Sequence, residues 1–214
     1  MNCARTGLIV TLVAALCMVL SAQKAIPHQT SSGTFASPDG TFRFQYSRAL
    51  VSCQRNPNQT DRWLPDKSCN AYTPVCSNFS CDSSGTVACI AYPAREMKGT
   101  NFQAAAFSVN ELKGIVAESE CMKVDEPPPH VRKASNETVN GVPFEVIEAD
   151  GVGLGNFIQG YVYRNFHNGK CYELDIRIAS SNIANYDPGS VKSFDSETIR
   201  RILKAALASF RFLR

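Results

Sequence analysis

Hydrophobic and polar positions alternate most clearly near the two ends of the chain. Pro38-Asp39-Gly40 is a turn with a mechanism: proline fixes φ and glycine accepts positive φ. After it, Phe42, Phe44 and Tyr46 alternate with Thr41, Arg43 and Gln45, the period of a half-buried strand, so residues 34–46 predict a hairpin. Residues 86–92 and 102–109 are apolar at both alternating sets, as in central strands covered on both faces. Asn110 predicts a cap for a short helix over residues 111–119. Glu126-Pro127-Pro128-Pro129-His130 predicts a stiff, extended connector.

The last third predicts three strands, at residues 143–150, 156–166 and 170–179, with Asn168-Gly169 as a hairpin turn between the last two. In the third strand Tyr172, Leu174, Ile176 and Ile178 share one face, and Cys171, Glu173, Asp175 and Arg177 the other. Asp187-Pro188-Gly189 opens a loop. Asp195 then caps a helix in which Ile199, Ile202, Leu203, Ala206 and Phe210 recur at helical spacing, and residues 210–213 add a short final strand. No internal repeat is present.

The amino terminus carries a different pattern. Arg5 precedes an apolar run at residues 8–20, broken only by Thr11, and Ser21-Ala22 offers small residues for cleavage. The run falls short of the ~20 residues that cross a bilayer core. Residues 1–22 therefore predict a secretory signal peptide. Cys17 follows Leu16, where a lipid-attachment motif wants a small residue. Residues 23–33 predict a flexible leader, and residues 34–214 a single domain with a cysteine-rich insert at about 50–90. No later segment is long and apolar enough to span a membrane. The formal net charge is +3, and Arg5 leaves with the signal. So small a charge, with basic residues dispersed, points away from nucleic acid.

Seven of nine cysteines lie beyond the signal: Cys53, Cys69, Cys76, Cys81, Cys89, Cys121 and Cys171. Export makes disulfides the default, and an odd number leaves at least one cysteine unpaired within the chain. That one is either a buried thiol or a reactive one. Five of the seven lie in a stretch rich in Asn, Pro, Ser and Asp, too poor in apolar residues to hold itself by burial. Bridges contributing about 2–4 kcal/mol each would hold it. Zinc would need other spacings: there is no C-x-x-C, and no histidine lies between Cys53 and Cys89. No cofactor or metal is expected. Trp63, the only tryptophan, lies in this stretch, either as an exposed contact surface or as the plug of a small local core.

The Ser37-Pro38-Asp39-Gly40 hairpin with its aromatic alternation, and the closing order of strand, hairpin, strand with Tyr172-Glu173-Leu174, loop, helix and Ala208-Ser209-Phe210-Arg211-Phe212, resemble the PsbP-like proteins. Ala105-Ala106-Phe107-Ser108-Val109 and Gly169-Lys170-Cys171-Tyr172-Glu173-Leu174 are similar to phrases of uncharacterised exported bacterial proteins. The resemblance implies an α+β fold, an antiparallel sheet flanked by helices in an α/β/α sandwich, and an accessory or binding role. The cysteine-rich insert departs from the family pattern. The resemblance carries over no metal- or partner-contacting residue.

Catalytic constellations are sparse. His28, His130 and His167 share no i, i+4 spacing, and there is no G-x-S-x-G elbow. Cys171 with His167 makes a conceivable thiol and base, but a disulfide for Cys171 is the stronger expectation. Gly151-Val152-Gly153-Leu154-Gly155 precedes a strand, not a helix, so a flexible loop is favoured over a nucleotide site. Glu173 and Asp175 share a strand face with Arg177, which favours a charge ladder over a catalytic carboxylate pair. Asn58, Asn78 and Asn136 head glycosylation sequons, which carry meaning only in a host that glycosylates them. The expectation is an exported, secreted or periplasmic, non-catalytic binding or accessory protein with an unknown protein or small-molecule partner. A hydrolase or thiol enzyme and a small protease inhibitor are the alternatives.

Overall fold

The computed structural model describes residues 32–55, 63–64, 85–123, 131–153 and 155–213. Among the described residues, twelve strands form two antiparallel sheets. They are β1 (Ser32–Ala36), β2 (Phe42–Ser47), β3 (Val51–Arg55), β4 (Trp63–Leu64), β5 (Thr86–Ala91), β6 (Phe102–Leu112), β7 (Val131–Val139), β8 (Val142–Ala149), β9 (Gly151–Gly153), β10 (Asn156–His167), β11 (Lys170–Ser181) and β12 (Arg211–Phe212). Two α-helices join them, α1 (Glu118–Cys121) and α2 (Ser196–Ser209).

The large sheet runs β4-β3-β5-β6-β11-β10-β8-β7, with β9 paired to β10. Two halves therefore meet in the middle. The amino-terminal strands step inward to β6, the chain crosses to β7 at the far edge, and β8, β10 and β11 step back until β11 pairs with β6. The small sheet is β1-β2-β12.

Alternation decides which residues go where. Tyr172, Leu174, Ile176 and Ile178 of β11 join Ala105, Phe107 and Val109 of β6, and α2 lays Ile199, Leu203, Ala206 and Leu207 on them. The small sheet closes this core with Phe42 and Phe44; Phe44 meets Phe107 edge-on at 5.2 Å and Phe42 lies 5.3 Å from Phe210. Fully burying one such ring stabilises by about 1.5–3 kcal/mol. Asp195 caps α2, its Oδ1 accepting from the Thr198 N–H at 3.1 Å.

The class is α+β, as the resemblance implies, and the helices flank the sheet unequally. The fourteen-residue α2 covers one face, whereas the four-residue α1 lies against β10 and β11 from the other. The β1–β2 hairpin begins at Ser32, within the stretch expected to be leader; residues 1–31 lie outside the described residues. The Asn168-Gly169 turn has φ of 49° and 76°, as a two-residue hairpin requires.

One expectation is corrected. Residues 111–119 do not form a helix: β6 continues to Leu112 and the helix spans only Glu118–Cys121, with Ala117 before it. The sheet holds the groups a helix start would use. Asn110 Oδ1 accepts from Thr86 Oγ1 at 2.7 Å, the Glu111 N–H donates to Gly85 O at 2.8 Å, and Leu112 lies opposite Cys171. The sequence pattern does not predict β3 or β7. β3 is short, and β7 is an edge strand whose residues 135–138 are all exposed. Asn140-Gly141 turns β7 into β8 with φ of 47° and 83°.

Candidate functional site

The outer face of the large sheet carries the candidate chemistry of β11. Glu173 lies between Asn110 on β6 and Arg164 on β10, and Asp175 between Ser108 and Val162. Arg164 Nε donates to Glu173 Oε2 at 3.0 Å, and its Nη1 donates to the Lys123 carbonyl after α1. Arg177 Nε donates to Asp175 Oδ1 at 2.8 Å and its Nη1 to Ala149 O at 3.3 Å. Glu173 and Asp175 are thus two rungs of a charge ladder, each tied to its own arginine. The Asp175 side chain is 4% exposed, so burial would be costly without its partner.

Cys171 is closed to thiol chemistry. It forms a disulfide with Cys121, with Cα atoms 5.5 Å apart, which pins α1 to β11. His167 stacks on Phe212 at 3.8 Å between ring centroids, so the hairpin end is an aromatic contact. Cys53 and Cys89 stand opposite each other on β3 and β5, and each is disulfide-bonded. Trp63 opens β4, opposite Arg55. The rest of the insert, with Cys69, Cys76 and Cys81, lies outside the described residues, as do His28, His130, the proline connector and the sequons at Asn58 and Asn78. Among the described residues, no group of three or more His, Cys, Asp or Glu side chains could hold a metal ion. Also among them, no helix is long and apolar enough to cross a membrane.

A concavity does form at one end of the sheet, and the glycine-rich segment builds it. Gly151–Gly153 is a strand, not a loop, and it pairs with the start of β10 so that Val152 stands opposite Phe157. Phe157 in turn lies opposite Ser180 of β11. The first residue of the helix α2, Ser196, reaches this end of the strands. The result is a hollow of about 370 Å³ whose apolar lining includes Val152, Phe157, Ile158, Ile178 and Phe194, and whose polar lining includes Asp150 and Ser196. Phe194 is fixed by an edge-on contact with Phe102 at 5.3 Å, and its N–H donates to Asn101 Oδ1 at 3.2 Å. Asp150 is held at the hairpin, accepting from the Gly160 N–H at 3.3 Å. Val152 is 65% and Phe157 37% exposed. The loop after β11 is tied to this hairpin by the Asn182 N–H to Gly155 O at 2.7 Å, and it exposes Ile183 and Tyr186. Sequence reasoning missed this site. Its available signal was the Val152 and Phe157 pair flanking the glycines at a hairpin spacing.

No family model matches the chain, and no curated protein matches it. Among solved structures, cyanobacterial PsbP from Synechocystis sp. PCC 6803 is similar over 85% of this chain and 92% of its own, at 8% identity and a TM-score of 0.43. A protein of Bacteroides thetaiotaomicron VPI-5482 is similar over 85% of this chain at 8% identity and a TM-score of 0.44. The matched region covers 48% of that protein, so the chain spans about half its length.

Proposed function

We propose that this is an exported, non-catalytic binding or accessory protein that holds a small apolar molecule, or an apolar side chain of a protein partner, at the open end of β10 and β11. Export to the periplasm or the exterior is supported by the signal pattern of residues 1–22 and by the bonded state of Cys53, Cys89, Cys121 and Cys171. The observation that carries the reading is the exposure of Val152 and Phe157 on the wall of a hollow otherwise built from fixed side chains. Apolar hollows with a few polar groups at the margin are the usual form of ligand sites. The carboxylates and the thiol that would have served an enzyme are engaged instead in ion pairs and a disulfide.

Indole, a compact aromatic probe, tests this by methyl-resonance NMR. Titration into the mature protein is expected to shift Val152, Ile158 and Ile178 saturably, and V152S/F157S to abolish the shifts while leaving the melting temperature unchanged. Shifts confined to other methyl groups, or retained in the double variant, would remove the reading.

A further inference from the structure

Arg43 on β2 and Arg211 on β12 are direct cross-strand partners. Like charges placed opposite each other on antiparallel strands destabilise the pairing. The ion pairs formed among the described residues use Arg95, Arg164, Lys170, Arg177 and Arg200, and none involves Arg43 or Arg211. The Arg43 Nε is moreover buried and without a hydrogen-bond partner. Beside the two arginines lies a second hollow, of about 310 Å³, whose other walls include Thr34, Gln45, Asn140 and Ser209 and which, among the described residues, no carboxylate lines.

We propose that Arg43 and Arg211 bind a small oxyanion, a phosphate or carboxylate group, in this hollow. Guanidinium groups present planar donor forks that match such oxygens, and charge-assisted bonds of this kind are stronger than neutral ones. An oxyanion between the two would satisfy the buried Nε and convert the repulsion across β2 and β12 into a shared attraction. Thr34 and Gln45 add a hydroxyl and a carboxamide on the same face, since Thr34 lies opposite Gln45 in the register of β1 and β2.

The wall is held before any ligand arrives. Ser209 Oγ accepts from the Gln45 N–H at 2.7 Å and donates to the Gln45 carbonyl at 2.8 Å. Asn140 Nδ2 donates to Ala208 O at 2.8 Å and to Phe210 O at 2.6 Å. The end of α2, and with it the start of β12 at Arg211, is therefore anchored to strand β2 and to the β7–β8 turn. The site lies on the small sheet and is independent of the apolar hollow on β10 and β11.

The test is thermal melting of the mature protein at low ionic strength, titrated with inorganic phosphate or citrate against sodium chloride of matched ionic strength. A saturable rise of about 3–6 °C at ten times Kd is expected for one of the two anions, over and above chloride. R43Q and R211Q should each weaken that anion's binding more than tenfold. In anion-free buffer, R211Q should melt at or above the parent, because removing one charge ends the repulsion. This arm also guards against a folding defect in R43Q, since Arg211 is exposed. A rise equalled by chloride, or retained in R211Q, would overturn the proposal.

Discussion

Gly160 and Arg177 face each other across β10 and β11, and the guanidinium of Arg177 occupies the ground a side chain at position 160 would need. A Cβ at Gly160 would come within 3.0 Å of Arg177 Nη1 and would collide with the Ala149 carbonyl oxygen. The missing side chain lets Arg177 reach both Asp175 on its own strand and Ala149 on the far side of β10.

G160A should therefore destabilise the protein by about 1–3 kcal/mol, the range for overpacking a closed site. Urea unfolding measures it. R177A in the same chain should not restore the loss, because the main-chain oxygen of Ala149 remains in the way. A neutral G160A would mean that β8 and β10 separate easily.

Cys121 and Cys171 close a loop across 50 positions of sequence. Chain-entropy arguments put such a link at about 4 kcal/mol. C121S/C171S should lose about that much by denaturant unfolding without reductant. Four-residue helices do not persist alone. Amide exchange at Glu118–Cys121 in this variant should therefore lose protection while the β10–β11 hairpin keeps it.

Asp39 supplies a pH dependence. The Thr41 hydroxyl donates to its Oδ1 at 2.7 Å, and this bond, with help from Ser37, the Thr41 N–H and Lys170, lowers its pKa to about 2. A carboxyl depressed in the folded state stabilises fully above its unfolded pKa of about 4 and loses that contribution as pH falls through the folded value. D39N should melt below the parent at pH 6, and the gap should close between pH 4 and pH 2. A gap that stays constant over that range would show that the charge is not what the turn uses.

Asn140 does two things: it takes a positive φ in the β7–β8 turn and caps the end of α2 through Nδ2. N140G keeps the turn and loses the cap, at about 1 kcal/mol. N140A loses the cap and adds left-handed strain of about 1–2 kcal/mol. The order parent, N140G, N140A in urea midpoint is the expected result, and equal midpoints for the two variants would assign the whole effect to capping.

Where a strand has one wet and one dry face, or two dry ones, its pattern could be read directly. β2, β5, β6, β8, β10 and β11 were visible for that reason, and α2 by its helical spacing. β7 was not, because an edge strand takes its hydrogen bonds from β8 and needs few apolar residues of its own. Asn110 looked like a helix cap because local capping and cross-strand bonding want the same side chain, and only the arrival of Thr86 decides between them. The charge ladder of Glu173, Asp175 and Arg177 was readable on one strand, whereas its other half, Arg164 and the Lys123 carbonyl, comes from elsewhere. Both hollows share that difficulty. Val152 and Phe157 become a wall only when Phe194 arrives, and Arg43 meets Arg211 only through the pairing of the last strand with the second.

The position of β11 in the middle of the large sheet has a temporal consequence. The hairpin of β10 and β11 is local and can form as soon as Asn168-Gly169 is available, but β6 has no inner neighbour until β11 exists. As the chain emerges amino-terminus first into the compartment where it folds, its amino-terminal half must therefore wait, with the apolar β6 exposed, until β7 to β11 have followed. β2 waits longer still, since its partner β12 follows both β11 and α2. Such long-range closure slows folding and leaves strand edges open to wrong partners. The interval before β11 and β12 arrive is the period in which this protein depends most on being kept apart from its own copies.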